Sequence, residues 1–367
     1  MVYSMNLDFS REGDIILRKK IQPFFDKPIS SVCRCALGDL SSANKAVGSR
    51  NSGVCRLEIC FSDGEKQELA LKSKSQRTLV NGIMLLSKKS PRLRLDLLLN
   101  HKVFGYNDSH RREISIYKKI DKSLIDNMIC YVGSFVTFPK TYNLLFDYYN
   151  ENPKKLSLGF AKKIMDTLLK FHIFYYNDID NAKKLGLNIY APNDYKNAKK
   201  CIYGLYNSRH NENVKLYGDK KDREICGYIN NIDKIMAEYS WHRSFTHNDF
   251  STRNMFFDRG RVLFYDFELS CYQNPEHDLI EFFMYDLESF TDKEVKELIE
   301  YYKCGLKQGG VDISDEDFNK LLTFNAFEFV VNRLSMTKTI NERAELDFAK
   351  LSVPNSVRLL KILETMK

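Results

Sequence analysis

Three polar residues near position 250 have types and spacing that could support phosphoryl transfer. Asp249 follows His247 by two positions, Asn254 comes five positions later, and Asp266 ends the next apolar stretch. One carboxylate can orient and deprotonate an attacking hydroxyl, while an amide oxygen and a second carboxylate can hold Mg²⁺ against nucleotide phosphates. We therefore predict Asp249 as the base, and Asn254 and Asp266 as metal ligands. Glu268 is a further candidate that could assist the metal, touch the acceptor or simply bond a neighbouring Arg.

Short strands and a turn must position these residues. Val262, Phe264 and Phe267 mark an apolar pattern between the polar positions, and Arg259-Gly260 reads as a hairpin turn. The acids are therefore expected at strand ends and loops on a rigid base.

The first 150 residues indicate a small antiparallel sheet. Residues 54–61 alternate apolar and polar side chains, Asp63-Gly64 follows, and a return strand ends at Lys72, which together predict a hairpin. An earlier strand contains Cys33 and Cys35, which we expect to face the core. Two more strands are expected within 128–149.

Helical patterns appear within the first 150 residues as well as in the rest of the chain. Ser109 is expected to cap a helix, and helical spacing dominates after Pro153. The predicted fold class is α+β. Residues 1–150 form an N-terminal lobe with an insert at 73–108, and residues 151–367 form a larger, mainly helical C-terminal lobe.

Composition excludes several classes of protein. The 367 residues are 43% hydrophobic and 28% charged, which argues against disorder. A net charge of +8 is a mild excess for this length, which favours anionic ligands but is too small to indicate nucleic-acid binding. No apolar run is long enough for a membrane span, and the first residues do not resemble a signal peptide. The nine Cys show no zinc-site spacing. We therefore expect reduced thiols and a cytoplasmic location.

One segment resembles a known family. HNDFSTRN (247–254) and YDFE (265–268) resemble the catalytic and metal motifs of the aminoglycoside phosphotransferase and choline/ethanolamine kinase superfamily. Asn274-Pro275 and Asp278 resemble the family segment in which a buried Asp braces the catalytic loop. The resemblance implies a two-lobed protein-kinase-like fold, with ATP or GTP and Mg²⁺ as cofactors. It also implies that His247 supports the catalytic loop while Asp249 acts.

The resemblance extends to a nucleotide grip. Lys72 matches the phosphate-binding Lys of the family, with Lys74 as its rival, and Glu113 matches the Glu that pairs with it. Lys72 is preferred because it continues an apolar strand, whereas Lys74 reads as strand exit and loop.

Two further nucleotide contacts are implied. The segment 144–148 resembles the interlobe hinge, which places Phe146 and Tyr148 beside the adenine. The chain has no G-x-G-x-x-G sequence, so the candidate phosphate loop is formed by small residues, namely Gly38, Ser41 and Ser42.

The sequence therefore predicts transfer of a γ-phosphoryl group to a hydroxyl of a small molecule, such as an amino alcohol, an aminoglycoside or another antibiotic or metabolite. Three alternatives stay open: a kinase for peptide or protein hydroxyls, with residues 178–240 as a docking surface, a catalytically weak nucleotide-binding scaffold, and a basic nucleic-acid-associated protein that carries the same fold. A polycationic acceptor would need acids in its site. The candidates for that lining are Asp286, Glu288, Asp292, Glu294 and Glu328.

Overall fold

The chain folds into two compact units. The computed structural model describes residues 11–35, 53–75, 91–100, 105, 108–137, 141–149, 156–208, 210–335, 338 and 347–366. The first unit is drawn from residues 1–85 and 129–151, and the second from residues 86–128 and 152–367.

The first unit is built on an antiparallel sheet with strand order β1-β2-β3-β5-β4. The predicted hairpin joins β2 to β3. Its turn is formed by Gly64, whose φ of +87° disfavours other residues, and by the Asp63 carboxylate, which accepts a hydrogen bond from the Glu65 N–H. A helix, α1, precedes the sheet. The bounds are α1 Arg11–Ile21, β1 Ile29–Cys35, β2 Gly53–Phe61, β3 Lys66–Ser75, β4 Tyr131–Thr137 and β5 Thr141–Asp147.

One face of this sheet forms the core of the first unit. Leu69 and Leu71 of β3 pack there with Leu17 and Ile21 of α1. Because successive side chains of a strand alternate between faces, Lys72 lies on the opposite face.

Helices make up most of the second unit. Their amphipathic faces bury apolar residues against each other, and Ser157, Thr291 and Ser314 cap three of them by accepting a backbone N–H bond. The bounds are α2 Pro91–Asn100, α3 Ser109–Lys119, α4 Leu158–Phe174, α5 Ile179–Leu185, α6 Pro192–Asn207, α7 His210–Tyr217, α8 Asp219–Glu238, α9 Glu276–Asp286, α10 Asp292–Gln308, α11 Asp315–Phe329 and α12 Asp347–Glu364.

Short strands of the second unit hold the segment around residue 250. A three-stranded sheet has the order β6-β10-β7, and β8 pairs with β9 in a two-residue hairpin. Arg259 and Gly260 both adopt positive φ at this turn, as a tight hairpin requires. The bounds are β6 Asn188–Ile189, β7 Ser244–Thr246, β8 Met255–Asp258, β9 Arg261–Phe264 and β10 Cys271–Gln273.

Several local expectations differ from the structure. Asp108, not Ser109, is the residue before α3, and Ser109 is its first helical residue. Cys33 is exposed rather than directed at the core. Residues 86–128, assigned by sequence to the N-terminal lobe, group with the second unit because α2 and α3 pack on its elements. Among the described helices, none combines the length and apolar character needed to cross a membrane.

Candidate active site

The predicted base and its amide neighbour lie side by side in the loop after β7. The Asn254 amide nitrogen donates to the Asp249 backbone carbonyl at 2.7 Å and to its carboxylate at 3.0 Å. Asn254 is buried, whereas the Asp249 side chain remains 25% exposed. Because the amide nitrogen is used on Asp249, the amide oxygen of Asn254 is the atom left to ligate a metal.

Asp278 braces this loop from α9, as the resemblance implied. Its carboxylate is fully buried and accepts the backbone N–H groups of His247 at 2.7 Å and Asn248 at 2.9 Å. His172 Nε2 lies 3.1 Å from the same carboxylate, and Tyr302 binds the other ring nitrogen at 2.6 Å. A buried carboxylate is tolerated because its oxygens are satisfied by donors.

Two further carboxylates of α9 continue the brace, and sequence reasoning missed their role. Glu281 accepts the Phe250 N–H at 2.9 Å, and Asp286 accepts the Thr252 N–H at 3.0 Å and the Thr252 hydroxyl at 2.6 Å. Acidic residues inside a mostly apolar, buried helix were the available signal, since buried charge requires partners.

The two carboxylates differ in ionisation. Burial opposes the charge of Glu281, but the His277 imidazole, the Arg333 guanidinium and the Phe250 N–H together outweigh it, so the pKa of Glu281 falls; the same pair with Glu281 raises the pKa of His277. At Asp286, burial raises the pKa to about 6, because the hydrogen bonds from Thr252 offset only part of the desolvation.

Tyr265 ties the loop that carries the base, residues 247–254 (the base loop), to the predicted metal ligand Asp266. Its N–H donates to the Asn254 carbonyl at 3.1 Å, and its own carbonyl accepts from His247 Nε2 at 2.8 Å. His247 is buried and acts here as a hydrogen-bond donor that holds the loop. The next residue, Asp266, has a left-handed backbone with φ of 66°. The two hydrogen bonds of Tyr265 fix the backbone directly before this residue.

Three carboxylates converge at Asp266. Ligand oxygens of Glu113, Asp266 and Glu268 all lie within 4.8 Å of one another, with Glu113 buried. Arg112, also buried, donates to the Glu268 carbonyl at 2.6 Å and thereby ties α3 to this turn. The donor set is entirely oxygen, which is the set that Mg²⁺ prefers, so these residues fit a divalent cation. Glu113 was predicted to pair with Lys72; that pairing stays a prediction.

Arg333 reaches the base loop from the end of α11. It lies in a π-helical stretch, Val330–Leu334, a rare form that widens the helix by one residue. Its guanidinium donates to the Asn248 carbonyl and lies 3.5 Å from the Glu281 carboxylate. Asn248 has φ of 59°. The contact therefore helps to fix the strained residue directly before Asp249.

The residues predicted for the nucleotide grip lie in the first unit. Lys72 and Lys74 are both half-buried on the same face of β3, opposite Leu144 and Tyr142 of β5. Lys74 is therefore within the strand, which corrects its assignment to a loop. Phe146 is buried in β5.

Tyr148 follows β5, and its side chain packs beneath the Arg56 guanidinium at 5.0 Å. Its backbone N–H lies 3.3 Å from the Glu68 carbonyl. Gly38, Ser41 and Ser42 lie outside the described residues.

The acids considered for a polycation site are engaged elsewhere. Glu294 belongs to the capping box of α10, and Glu328 is buried against Tyr228. The remaining three are Asp286, bonded to Thr252, Glu288, bonded to Asn355, and Asp292, paired with Arg358.

The part of the chain that contains the base loop matches a family model. Residues 202–310 match the model of the phosphotransferase enzyme family, a range that contains the base loop, Asp266, Glu268 and α9. The resemblance of the 247–254 and 265–268 motifs to this family is therefore confirmed. The match also confirms the prediction of a phosphotransferase of the kinase class that acts on a hydroxyl group. No curated protein sequence matches the chain significantly.

Solved structures confirm the fold class. The choline kinase LicA from Streptococcus pneumoniae superposes with a TM-score of 0.50 at 14% identity, covering 96% of this chain and 98% of that one. A choline kinase from Cryptosporidium parvum Iowa II has a TM-score of 0.50 at 11% identity, covering 95% and 94%. The predicted kinase-like α+β fold is therefore confirmed.

Proposed function

We propose that the protein transfers the γ-phosphoryl group of Mg·ATP to a hydroxyl of a small molecule. The observation that carries this proposal is the arrangement around Tyr265. Its peptide group links the Asp249–Asn254 pair to Asp266, which sits within a cluster of carboxylates. A base and an oxygen-rich cation site on one rigid frame are what phosphoryl transfer to an alcohol requires.

Each residue then has a defined part. Asp249 accepts the proton of the acceptor hydroxyl as that oxygen attacks phosphorus, and Asn254 orients the Asp249 carboxylate. Asp266, Asn254 and Glu268 would hold Mg²⁺, which when bound neutralises charge on the phosphates. Lys72 keeps the phosphate-binding role that the resemblance implies, together with Glu113.

Positioning supplies most of the expected catalysis. The base loop is fixed by Asp278, Glu281 and Asp286, which between them accept backbone N–H groups of four loop residues. A fixed base places the hydroxyl at attacking distance without further entropy loss during the reaction.

The test is formation of ADP from Mg·ATP over a panel of amino alcohols, sugars, aminoglycosides, macrolides and nucleosides. At least one acceptor should raise ADP formation above the rate with ATP alone. Asp249→Asn should lower kcat for that acceptor by roughly 10²–10⁴-fold and leave ATP binding unchanged, because the variant keeps its shape but cannot accept the proton. Wild-type turnover by this variant would refute the assignment of the base. Transfer to a peptide but to no small molecule would favour the protein-kinase alternative.

A further inference from the structure

One arginine of the second unit contacts the residues on both sides of the proposed base. The guanidinium of Arg333 donates to the backbone carbonyl of Asn248, the residue before Asp249. Its Nε lies 3.5 Å from Oε1 of Glu281, and Oε2 of Glu281 accepts the N–H of Phe250, the residue after Asp249, at 2.9 Å. Arg333 and Glu281 therefore form one connected pair that reaches both peptide groups flanking the base.

Both members of this pair are withdrawn from water. The Glu281 side chain is fully buried and the Arg333 side chain is only 12% exposed. Glu281 keeps its negative charge, because His277, Arg333 and the Phe250 N–H lower its pKa against the effect of burial. An ion pair at this depth is screened less by solvent and salt than a surface pair. It therefore holds its geometry firmly, and loss of one member leaves a buried charge on the other with fewer partners.

The peptide group that Arg333 holds leads directly into the base. Asn248 has a left-handed backbone with φ of 59°, which a residue other than glycine keeps only where its surroundings impose it. Asp278 accepts the N–H of Asn248 at 2.9 Å, and the Asn248 side chain donates to the Leu269 carbonyl at 2.8 Å. The carbonyl that Arg333 holds shares its rigid peptide plane with the nitrogen of Asp249. Fixing that carbonyl therefore fixes the direction in which Asp249 leaves the backbone.

The helix that carries Arg333 is irregular at this position. The π-helical stretch Val330–Leu334 follows directly after α11, and the Ser335 hydroxyl donates to the Val330 carbonyl at 3.0 Å. One extra residue in a helical turn rotates the side chains that follow by about 100° relative to a continuous α-helix. Such π-helical turns cost stability and occur often at functional sites. The irregular turn therefore sets the direction from which Arg333 approaches the base loop.

Resting on the proposed function, we propose that Arg333 is a positioning residue for phosphoryl transfer, which together with Glu281 sets the orientation of the Asp249 carboxylate toward the acceptor hydroxyl. Arg333 acts through the peptide groups on either side of Asp249 and not on the reacting atoms. Its loss should therefore lower kcat and leave KM for ATP unchanged, because the proposed nucleotide and metal contacts belong to other residues. A misplacement of the base by about 1 Å is enough to cost roughly 10²-fold in rate.

The kinetic test compares Arg333 with a matched arginine of the same unit. Arg358 of α12 also donates to two backbone carbonyls, those of Leu287 and Phe290, and also pairs with a carboxylate, that of Asp292. Arg333→Gln should lower kcat by roughly 10- to 100-fold without changing KM for ATP. Arg333→Lys should retain part of the rate, because an ammonium keeps the charge but lacks the planar fork that serves two partners. Arg358→Gln should keep the kcat of the wild type, even where its melting temperature falls.

A second measurement requires no turnover. Hydrogen exchange, followed by mass spectrometry, reports how often the backbone of residues 247–254 opens. Arg333→Gln should speed exchange in this segment, and Arg358→Gln should not. A double-mutant cycle then tests whether the pair acts as one device: Arg333→Gln combined with Glu281→Gln should lower kcat little more than either change alone.

The outcomes separate this proposal from the proposed function. Wild-type kcat and wild-type exchange in folded Arg333→Gln would overturn the positioning role, as would an equal loss of kcat in Arg358→Gln. If Arg333→Gln does not fold, Arg333→Lys carries the comparison: a lower kcat with faster exchange over residues 247–254 supports the proposal, and wild-type values of both overturn it. Absence of ADP formation with every acceptor, alongside faster exchange in Arg333→Gln, would instead count against the proposed function while Arg333 still holds the loop.

Discussion

Replacement of Asp278 by Asn should damage the base loop out of proportion to the size of the change. The two side chains have nearly the same shape, but Asn exchanges one acceptor oxygen for an NH₂ donor. In the structure one oxygen of Asp278 faces the Asn248 N–H, and the other faces the His247 N–H and His172 Nε2. Whichever way the Asn amide is turned, its NH₂ group therefore faces a backbone N–H, and two donors cannot form a hydrogen bond.

The magnitude follows from the contacts that are lost. A hydrogen bond to a charged group contributes about 1.5–3 kcal/mol, and a buried donor left unpaired costs about 1–3 kcal/mol. Asp278→Asn should therefore lower the free energy of unfolding by about 3–5 kcal/mol. A shift of the Asp249 loop by about 1 Å would also lower kcat by roughly 10²-fold.

Two variants serve as comparisons for Asp278→Asn. Asp286→Asn makes the same exchange on the same helix, but the Thr252 hydroxyl can accept from the new NH₂ group, so we expect little loss of stability at pH 7. Asp180→Asn makes the same exchange at a side chain that is 82% exposed, and it should leave both stability and turnover unchanged. Thermal unfolding and steady-state ADP formation measure both effects. The reasoning fails if Asp278→Asn melts and turns over like Asp180→Asn.

Three further predictions concern the metal, the nucleotide and pH. Asp266→Ala should abolish Mg²⁺-dependent ATP binding in calorimetry, and Asn254→Ala should weaken it less, because a carboxylate binds a hard cation more strongly than an amide does. If Asp266→Ala binds Mg·ATP as tightly as the wild type, Asp266 is not a metal ligand. Lys72→Ala should lower kcat/KM for ATP by roughly 10²-fold or more and Lys74→Ala only slightly, and the reverse order would assign the phosphate contact to Lys74. Since folding raises the pKa of Asp286 from 3.8 to about 6, its contribution to stability is present below about pH 4 and is lost as the pH rises through 6. This loss amounts to about 3 kcal/mol, so the unfolding free energy of Asp286→Asn should depend less on pH across that window than that of the wild type.

Local sequence determined the elements and the order of the chemical groups. The hairpin over β2 and β3 was predicted because alternation and Asp63-Gly64 act between neighbouring residues. The spacing of Asp249 and Asn254 likewise brought the two side chains into contact, since both belong to one short loop. Such features depend on interactions over a few residues, and those can be read from the chain.

Tertiary structure decided which acids support the site and which could meet a ligand. Asp286 was expected as a possible acceptor lining, yet it is half-buried and bonded to Thr252, 34 residues away along the chain. Glu281 gave no sign of its contact with Phe250, and the sequence did not associate Glu113 with Asp266 and Glu268. Carboxylates are chemically alike in a sequence. Their burial and the donors that face them arise only when distant segments pack together, and these determine whether a carboxylate braces a loop, binds a metal or remains in solvent.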